Sequence, residues 1–401
     1  MDYTNSLDAE AHLDPAIQPG ETVVALDADL RAFFLTGATG FIGAYLLREL
    51  LDTTNARAYT LVRADTPEQA LDRVRENLQS YRLWDDSLEA RIVPVVGDLK
   101  NARFGLTERA FAEVSEAVDA VYHCGSKLSY IAPYEFLSAA NVGGTHEALR
   151  MATTGHTKPL HYVSSLGILL DYKEPVGGAE EDDLDEDKCP AVGYFQTKYV
   201  AERLVRMARE RGVPVTIHRI GLIVGDSRTG ISNEDDFVAR MIVGSIQAGF
   251  APDVRANMDM TPVDFITKAM VYLSRQKSST GKVFHLLNPN PINWSGVFDL
   301  TETVGYSAEK LPFGEWVEKM DVCADTKTNP LCPLLPFFHI NFARRMMGVS
   351  GDDYGALRTD STQAALASSG ITCAPIDERF MGVYLSHFVQ HGKLTATMEF
   401  N

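Results

Sequence analysis

The chain has 401 residues, of which 45% are apolar and 23% charged, an ordinary globular composition with room for two or three structural units. Its formal charge of −17 argues against a nucleic-acid groove or an anionic membrane surface as the main partner. The five cysteines form no C-x-x-C pair and the ten histidines no H-x-H or H-E-x-x-H group, so the chain reads as a reduced cytosolic (cytoplasmic) protein without a metal centre.

The opening "MDYTNSLDAEAHLDPAIQPGE" is a polar, acidic lead-in without a basic-then-apolar signal pattern. No stretch approaches the roughly 18 consecutive apolar residues of a membrane span. Short apolar runs then alternate with helical stretches. The runs are "AFFLTG", "AYTLVR", "RIVPVVGD", "AVYHCG", "LHYVSS" and "VTIHRIGLIVG"; the clearest helices are "FIGAYLLRELLD", "PEQALDRVRENLQSY", "PYEFLSAANVGGTHEALRMA" and "YFQTKYVAERLVRMARERG". Buried strands alternating with amphipathic helices predict an α/β fold, a Rossmann-type doubly wound parallel sheet with helices on both faces. "KVFHLLN" reads as one further strand, after an excursion that begins near Gly225. The last hundred residues lose the alternation and read as mixed helix and loop.

The first strand–helix turn, "FFLTGATGFIGAYLL", carries Gly37-x-x-Gly40-x-x-Gly43. Gly37 permits a tight turn, Gly40 lets backbone approach a pyrophosphate, and Gly43 lets the helix pack closely. The helix N-terminus offers free N–H groups to the phosphates. At the end of the second strand, where an NAD site places an acid, stands Arg63, which suits the 2′-phosphate of NADPH. Asp65, two residues on, is discordant. Asp98 ends the third strand and is placed to accept from the adenine amino group. The chain thus divides into a lead-in at 1–31, an NADP-binding part at 32–225 plus about 262–290, and a mostly helical substrate-binding part at 226–261 plus 291–401.

Two Tyr-x-x-x-Lys pairs occur, Tyr194–Lys198 and Tyr306–Lys310; with fifteen tyrosines, roughly one such pair is expected by chance. Tyr194 opens a helix whose face runs on through Ala201, Val205 and Ala208. It follows the strand that ends in Ser164 and Ser165, only one of which faces the site. Tyr306 and Lys310 lack a serine-bearing strand and read as incidental. In the first pair the lysine is expected to lower the tyrosine pKa, so that Tyr194 and Ser165 serve a carbonyl oxygen as it gains charge. The run "EEDDLDEDK", Glu180 to Lys188, reads as a solvated loop between them.

The glycine loop, the Ser…Tyr-x-x-x-Lys order and "NVGGTHEALRMA" resemble the extended short-chain dehydrogenase/reductases. "LDAEAHLDPAI", "RIGLIVGDSRTG", "MTPVDFITKAM" and "NPNPINWSGVFDL" resemble more narrowly the thioester reductase domains that end nonribosomal peptide synthetases and related assembly lines. That resemblance implies NADPH-dependent reductive release of an acyl or peptidyl chain from a carrier-protein phosphopantetheine thioester, giving an aldehyde, which a second hydride could carry to an alcohol. It puts catalysis on Ser165, Tyr194 and Lys198. Cofactor contacts fall on Gly37, Thr39, Gly40, Phe41, Ile42, Gly43, Arg63, Arg73, Asp98, Leu99, Cys124, Gly125, Tyr194 and Lys198, with Asn141 in support. The family often has Arg-Pro-Gly where this chain has Arg219-Ile220-Gly221, and threonine where it has Ser165. An acidic carrier would need local basic surface, for which Arg206, Arg209, Arg211, Arg344 and Arg345 are the candidates. Two further readings are an extended reductase or epimerase acting on a free small carbonyl or nucleotide sugar, and a non-catalytic NADP-sensing module.

Overall fold

The structure, a computed structural model, describes residues 7, 9–169, 184, 190–323, 329–347 and 357–396. The acidic run therefore lies outside the described residues, Leu184 excepted, as does the side chain of Arg345.

The expected apolar runs form β1 (Ala32–Thr36), β2 (Arg57–Val62), β3 (Ile92–Val96), β4 (Ala120–His123), β5 (Leu160–Ser165) and β6 (Val215–Ile220). With an edge strand, Val283–Leu286, they make one parallel sheet in the order edge strand, β6, β5, β4, β1, β2, β3. Chain order reverses between β1 and β4, which opens a crevice at the carboxyl ends of these strands.

Alternation along β1 divides its side chains between two cores. Phe34 joins Val121, Tyr162 and Ile217 beneath the helix Gly193–Glu210. Phe33 and Leu35 join Tyr122 and Phe284 beneath the helices Phe41–Thr53, Pro67–Ser80 and Val263–Ser274. A third core, rich in aromatics, gathers Phe237, Trp294, Trp316, Phe337, Phe338 and Tyr384, and Tyr194 and Phe195 pack into it.

Two local readings change. "VTIHRIGLIVG" is not one strand: β6 stops at Ile220, and Ile223–Val224 pairs instead with Thr261–Pro262. The break falls at Gly221, where a Cβ would lie 1.5 Å from Asp259 Oδ2. The lead-in is polar in composition, yet Leu13, Ile17 and Leu26 are buried. Arg211 donates to the carbonyls of Leu13, Asp14 and Ile17, and Val23 bridges to Thr157. Among the described residues no helix is long and apolar enough to cross a membrane.

Candidate active site

Gly37 ends β1 at φ +85°, and its missing side chain gives space to Gly125, whose backbone nitrogen would lie 2.8 Å from a Cβ. A Cβ on Gly43 would lie 1.9 Å from the Gly37 carbonyl oxygen, so this glycine packs the helix onto the turn rather than onto the strand. Gly40 is the N-cap of Phe41–Thr53 and makes no side-chain cap bond, which leaves the first N–H groups of that helix available. Thr39 is half-buried and Ile42 borders the main cavity. The Phe41 ring packs away from the loop, against Tyr45 and Tyr81. Across the loop, the Gly125 N–H donates to Thr36 Oγ1 at 2.9 Å, and Leu99 wedges between Gly125 and Gly144. Burial pushes the Cys124 thiol up to about 11.

Arg63 lies just past β2 and is exposed, and the Arg73 guanidinium donates to the Arg63 carbonyl. Two exposed arginines thus share the corner where a ribose 2′ substituent would arrive. Asp65 lies beside them, its own N–H donating to Gln69 Oε1 at the start of the next helix. Asp98 is mostly buried, and its Oδ1 accepts the Lys100 N–H at 3.1 Å.

The strand end resolves the two serines. Ser164 Oγ turns into the core and donates to Glu202 Oε2 at 2.6 Å. Ser165 Oγ faces the cavity and accepts the Gly167 N–H at 3.1 Å, so its own proton remains to be donated. Tyr194 and Lys198 line the same cavity from the first two turns of Gly193–Glu210. Burial pushes the Tyr194 phenol up to about 12, against a hydrogen bond with the Ser126 side chain. Burial likewise pulls the Lys198 ammonium down to about 8.

The expected lowering of the tyrosine pKa by Lys198 is not found. Lys198 Nζ donates to the Val163 carbonyl at 2.7 Å, and packing among aromatic rings dominates the phenol. At neutral pH Tyr194 is a protonated donor.

Several supporting residues were not identified from sequence. Asn77 donates to the carbonyls of Ala38 and Gly40 and pins the glycine loop. Ser126 sits in the "HCGS" turn, one position beyond the residues singled out there. Glu202 is fully buried and accepts from Arg219, Arg206 and Ser164. Its burial alone would raise the carboxyl, but Arg219 and Arg206 overcome it and hold the group down to about 2. Asn141, by contrast, was expected in support from the resemblance; it lies in a π-turn, Ala139–Gly143, exchanges hydrogen bonds with the Lys127 backbone and donates to Thr197 Oγ1 beside Lys198. No local signal marks Glu202 or Asn77, since their partners lie in distant segments.

Ser126, Ser165, Tyr194 and Lys198 border a cavity of about 390 Å³ at the carboxyl ends of the strands, walled further by Tyr130, Ile220, Asp236, Phe237, Met258 and Phe337. Tyr306 and Lys310 are elsewhere: Tyr306 Oη donates to the Thr395 carbonyl, and Lys310 pairs with Asp299 from a short strand, Glu309–Leu311.

The family model described as Male sterility protein, an NAD-binding family, matches residues 35–270. A linear gramicidin synthase of Brevibacillus parabrevis is 38% identical over 396 residues, 98% of this chain and 8% of that protein. Glycine betaine reductase ATRR of Emericella nidulans is 41% identical over 320 residues, 78% of this chain and 25% of that protein. The chain thus spans a small part of the length of the curated relatives it matches. The crystal structure of the terminal R domain from the myxalamid PKS-NRPS pathway superposes with a TM-score of 0.91 at 38% identity, covering 98% of this chain and all of that one. Sequence and fold agree, and the chain belongs to the terminal reductase (R) domains of nonribosomal peptide synthetases, a family of oxidoreductases.

Proposed function

We propose that the chain binds NADPH and reductively releases an acyl or peptidyl chain from a carrier-protein phosphopantetheine thioester as an aldehyde, which a second reduction can carry to an alcohol. The observation that carries this reading is the meeting of Ser165, Tyr194 and Lys198 around one cavity beside the glycine loop. Gly37, Gly40 and Gly43 with the uncapped helix start suit a pyrophosphate. Arg63 and Arg73 suit a 2′-phosphate and favour NADPH over NADH. Asp98 and Leu99 would hold the adenine, and Cys124 and Gly125, against which Leu99 packs, would back the dinucleotide beside the glycine loop.

When bound, the reduced nicotinamide supplies the hydride. Tyr194 donates its phenolic proton to the oxygen of the reacting carbonyl, and the Ser165 hydroxyl donates to the same oxygen. Lys198, anchored on the Val163 carbonyl, is placed to orient a ribose hydroxyl and steady the phenol's surroundings. Loss of the pantetheine thiol from the resulting hemithioacetal leaves the aldehyde, and the same two donors serve a second reduction.

In this reading residues 32–225 and about 262–290 carry the cofactor, while 226–261 and 291–401 shape the acyl site through Phe237 and Phe337. The carrier belongs to the same polypeptide or is fused upstream, and such a tether would raise its local concentration to roughly millimolar. Of the basic residues considered for docking, Arg206 is buried, and Arg209 and Arg211 donate to backbone carbonyls of the fold; exposed Arg344 remains a candidate. A cytoplasmic location goes with this reading, since NADPH and unpaired thiols such as Cys124 belong to a reducing compartment.

The test is incubation of the chain with NADPH and pantetheine thioesters of varied acyl groups, followed by product analysis. Aldehyde or alcohol and free thiol are expected. Oxidation of NADPH by free small carbonyls but by none of the thioesters would overturn the reading.

A further inference from the structure

Away from the reaction cavity, three donor atoms from two distant segments converge. His387 and His391 lie one turn apart at the end of the helix Glu378–Gln390, and Glu234 reaches them from the loop before the helix Phe237–Ala248. One oxygen or nitrogen of each lies within 4.8 Å of the others. Glu234 Oε1 is 2.6 Å from His391 Nδ1 and 3.8 Å from His387 Nε2. The His387 side chain is only 4% exposed. Its ring hydrogen-bonds the Ser232 backbone, yet Nε2 is buried with no hydrogen-bond partner among the described residues, and Glu234 Oε1 likewise has none of acceptable geometry.

We propose that Glu234, His387 and His391 are a binding site for a divalent transition ion of the zinc class. Two imidazoles and one carboxylate are a zinc-type donor set. Tetrahedral zinc with bonds of about 2.0–2.1 Å sets neighbouring ligand atoms roughly 3.3 Å apart, so shifts within about an ångström close the site. A ring whose other nitrogen is held by a backbone group presents its free nitrogen in a fixed direction, the usual arrangement for a ligating histidine. Lys393 Nζ sits 3.3 Å from Glu234 Oε2 and occupies that oxygen, which leaves Oε1 to face the imidazoles. Arg82, the other nearby cation, donates to Gln390 Oε1. The His391 side chain is 43% exposed, so water can reach a fourth position at that edge. Glu234 stands two residues before Asp236, which with Phe237 walls the reaction cavity, so a bound ion would tie the last helix to that wall. The site does not depend on the reductase reading.

The test is calorimetric titration of the chelator-treated chain with Zn²⁺, with thermal melts in parallel. One ion per chain and a raised Tm are expected. Glu234→Gln and His391→Gln alter groups at the solvent edge, so folding should survive, and each should weaken binding by about tenfold or more. His339→Gln, which alters a different histidine–carboxylate pair with Asp321, should leave binding unchanged. No saturable binding, or the same affinity in folded His391→Gln as in the parent, would overturn the proposal; the second result would place the zinc elsewhere.

Discussion

Tyr194 and Lys198 sit on one face of an 18-residue helix, at the carboxyl ends of the parallel strands. Tyr306 and Lys310 have the same spacing, but their backbone turns and runs into the three-residue strand Glu309–Leu311. One pair shares a cavity with Ser165. The other is split between the Thr395 carbonyl and the Asp299 carboxylate. A four-residue interval brings two side chains together only where the backbone is helical, and the helix matters only if its face meets a strand end. The first pair is also braced from below: Glu202, one turn beyond Lys198, accepts from Ser164 on β5 and from Arg219 on β6. The second has no buried ionic support among the described residues.

The largest expected effect tests the pairs directly. Tyr194→Phe removes one hydroxyl and should lower thioester reduction by roughly 10²–10⁴, the usual worth of a positioned general acid, with circular dichroism and NADPH binding retained. Tyr306→Phe should change the rate hardly at all. Steady-state NADPH oxidation on one thioester compares them, and a fully active Tyr194→Phe would remove the distinction between the pairs.

The brace should matter next, and to stability. Glu202→Ala strands two arginines in the core, and breaking a buried ion pair in this way costs about 3–5 kcal/mol. The pH dependence follows from the folded-state value near 2 against an ordinary 4.5. Because the folded value is depressed, this contribution is complete above the unfolded value and is lost as pH falls from 4.5 toward 2. Urea melts between pH 7 and pH 3.5 should show that loss, and in a folded Glu202→Gln the acid limb should flatten. An unchanged limb would mean that the network carries no such linkage.

A smaller effect belongs to the cofactor corner on the far side of β1. Arg63→Ala should weaken NADPH by about 1.5–3 kcal/mol, the worth of a hydrogen bond to a charged group, and leave NADH nearly unchanged. Equal losses by fluorescence titration would sever Arg63 from the 2′-phosphate.

Much of this was legible because the signals are local. Buried parallel strands read as apolar runs, and the backbone that Gly37 adopts, at φ +85°, is one that few other residues tolerate. What escaped was tertiary. Lys198 was expected to act on Tyr194, but the Val163 carbonyl, on another element, claims its ammonium. Arg206 looked like surface charge in "RMARERG", yet Glu202 four residues earlier draws it inside. Asn77 carries no motif, and its role exists only because the second helix passes over the glycine loop. The strand break at Gly221 depended on Asp259, a carboxylate from a separate segment of the chain.

The smallest effect sharpens the comparison from the other side. Lys310 is 27% exposed and Asp299 is 65% exposed, so water screens their attraction. Such surface pairs are worth about 0–1 kcal/mol, because high dielectric weakens the Coulomb energy and two side chains lose freedom in making it. Lys310→Ala should therefore lower stability by no more than about 1 kcal/mol, and thioester reduction should stay at the parental rate. Denaturant melts and the same NADPH assay decide both points. A fall in rate with the fold intact would mean that the second pair communicates with the cavity through the aromatic core into which Tyr306 packs. Tyr306→Phe would then be expected to share the defect, since it releases the same segment from Thr395.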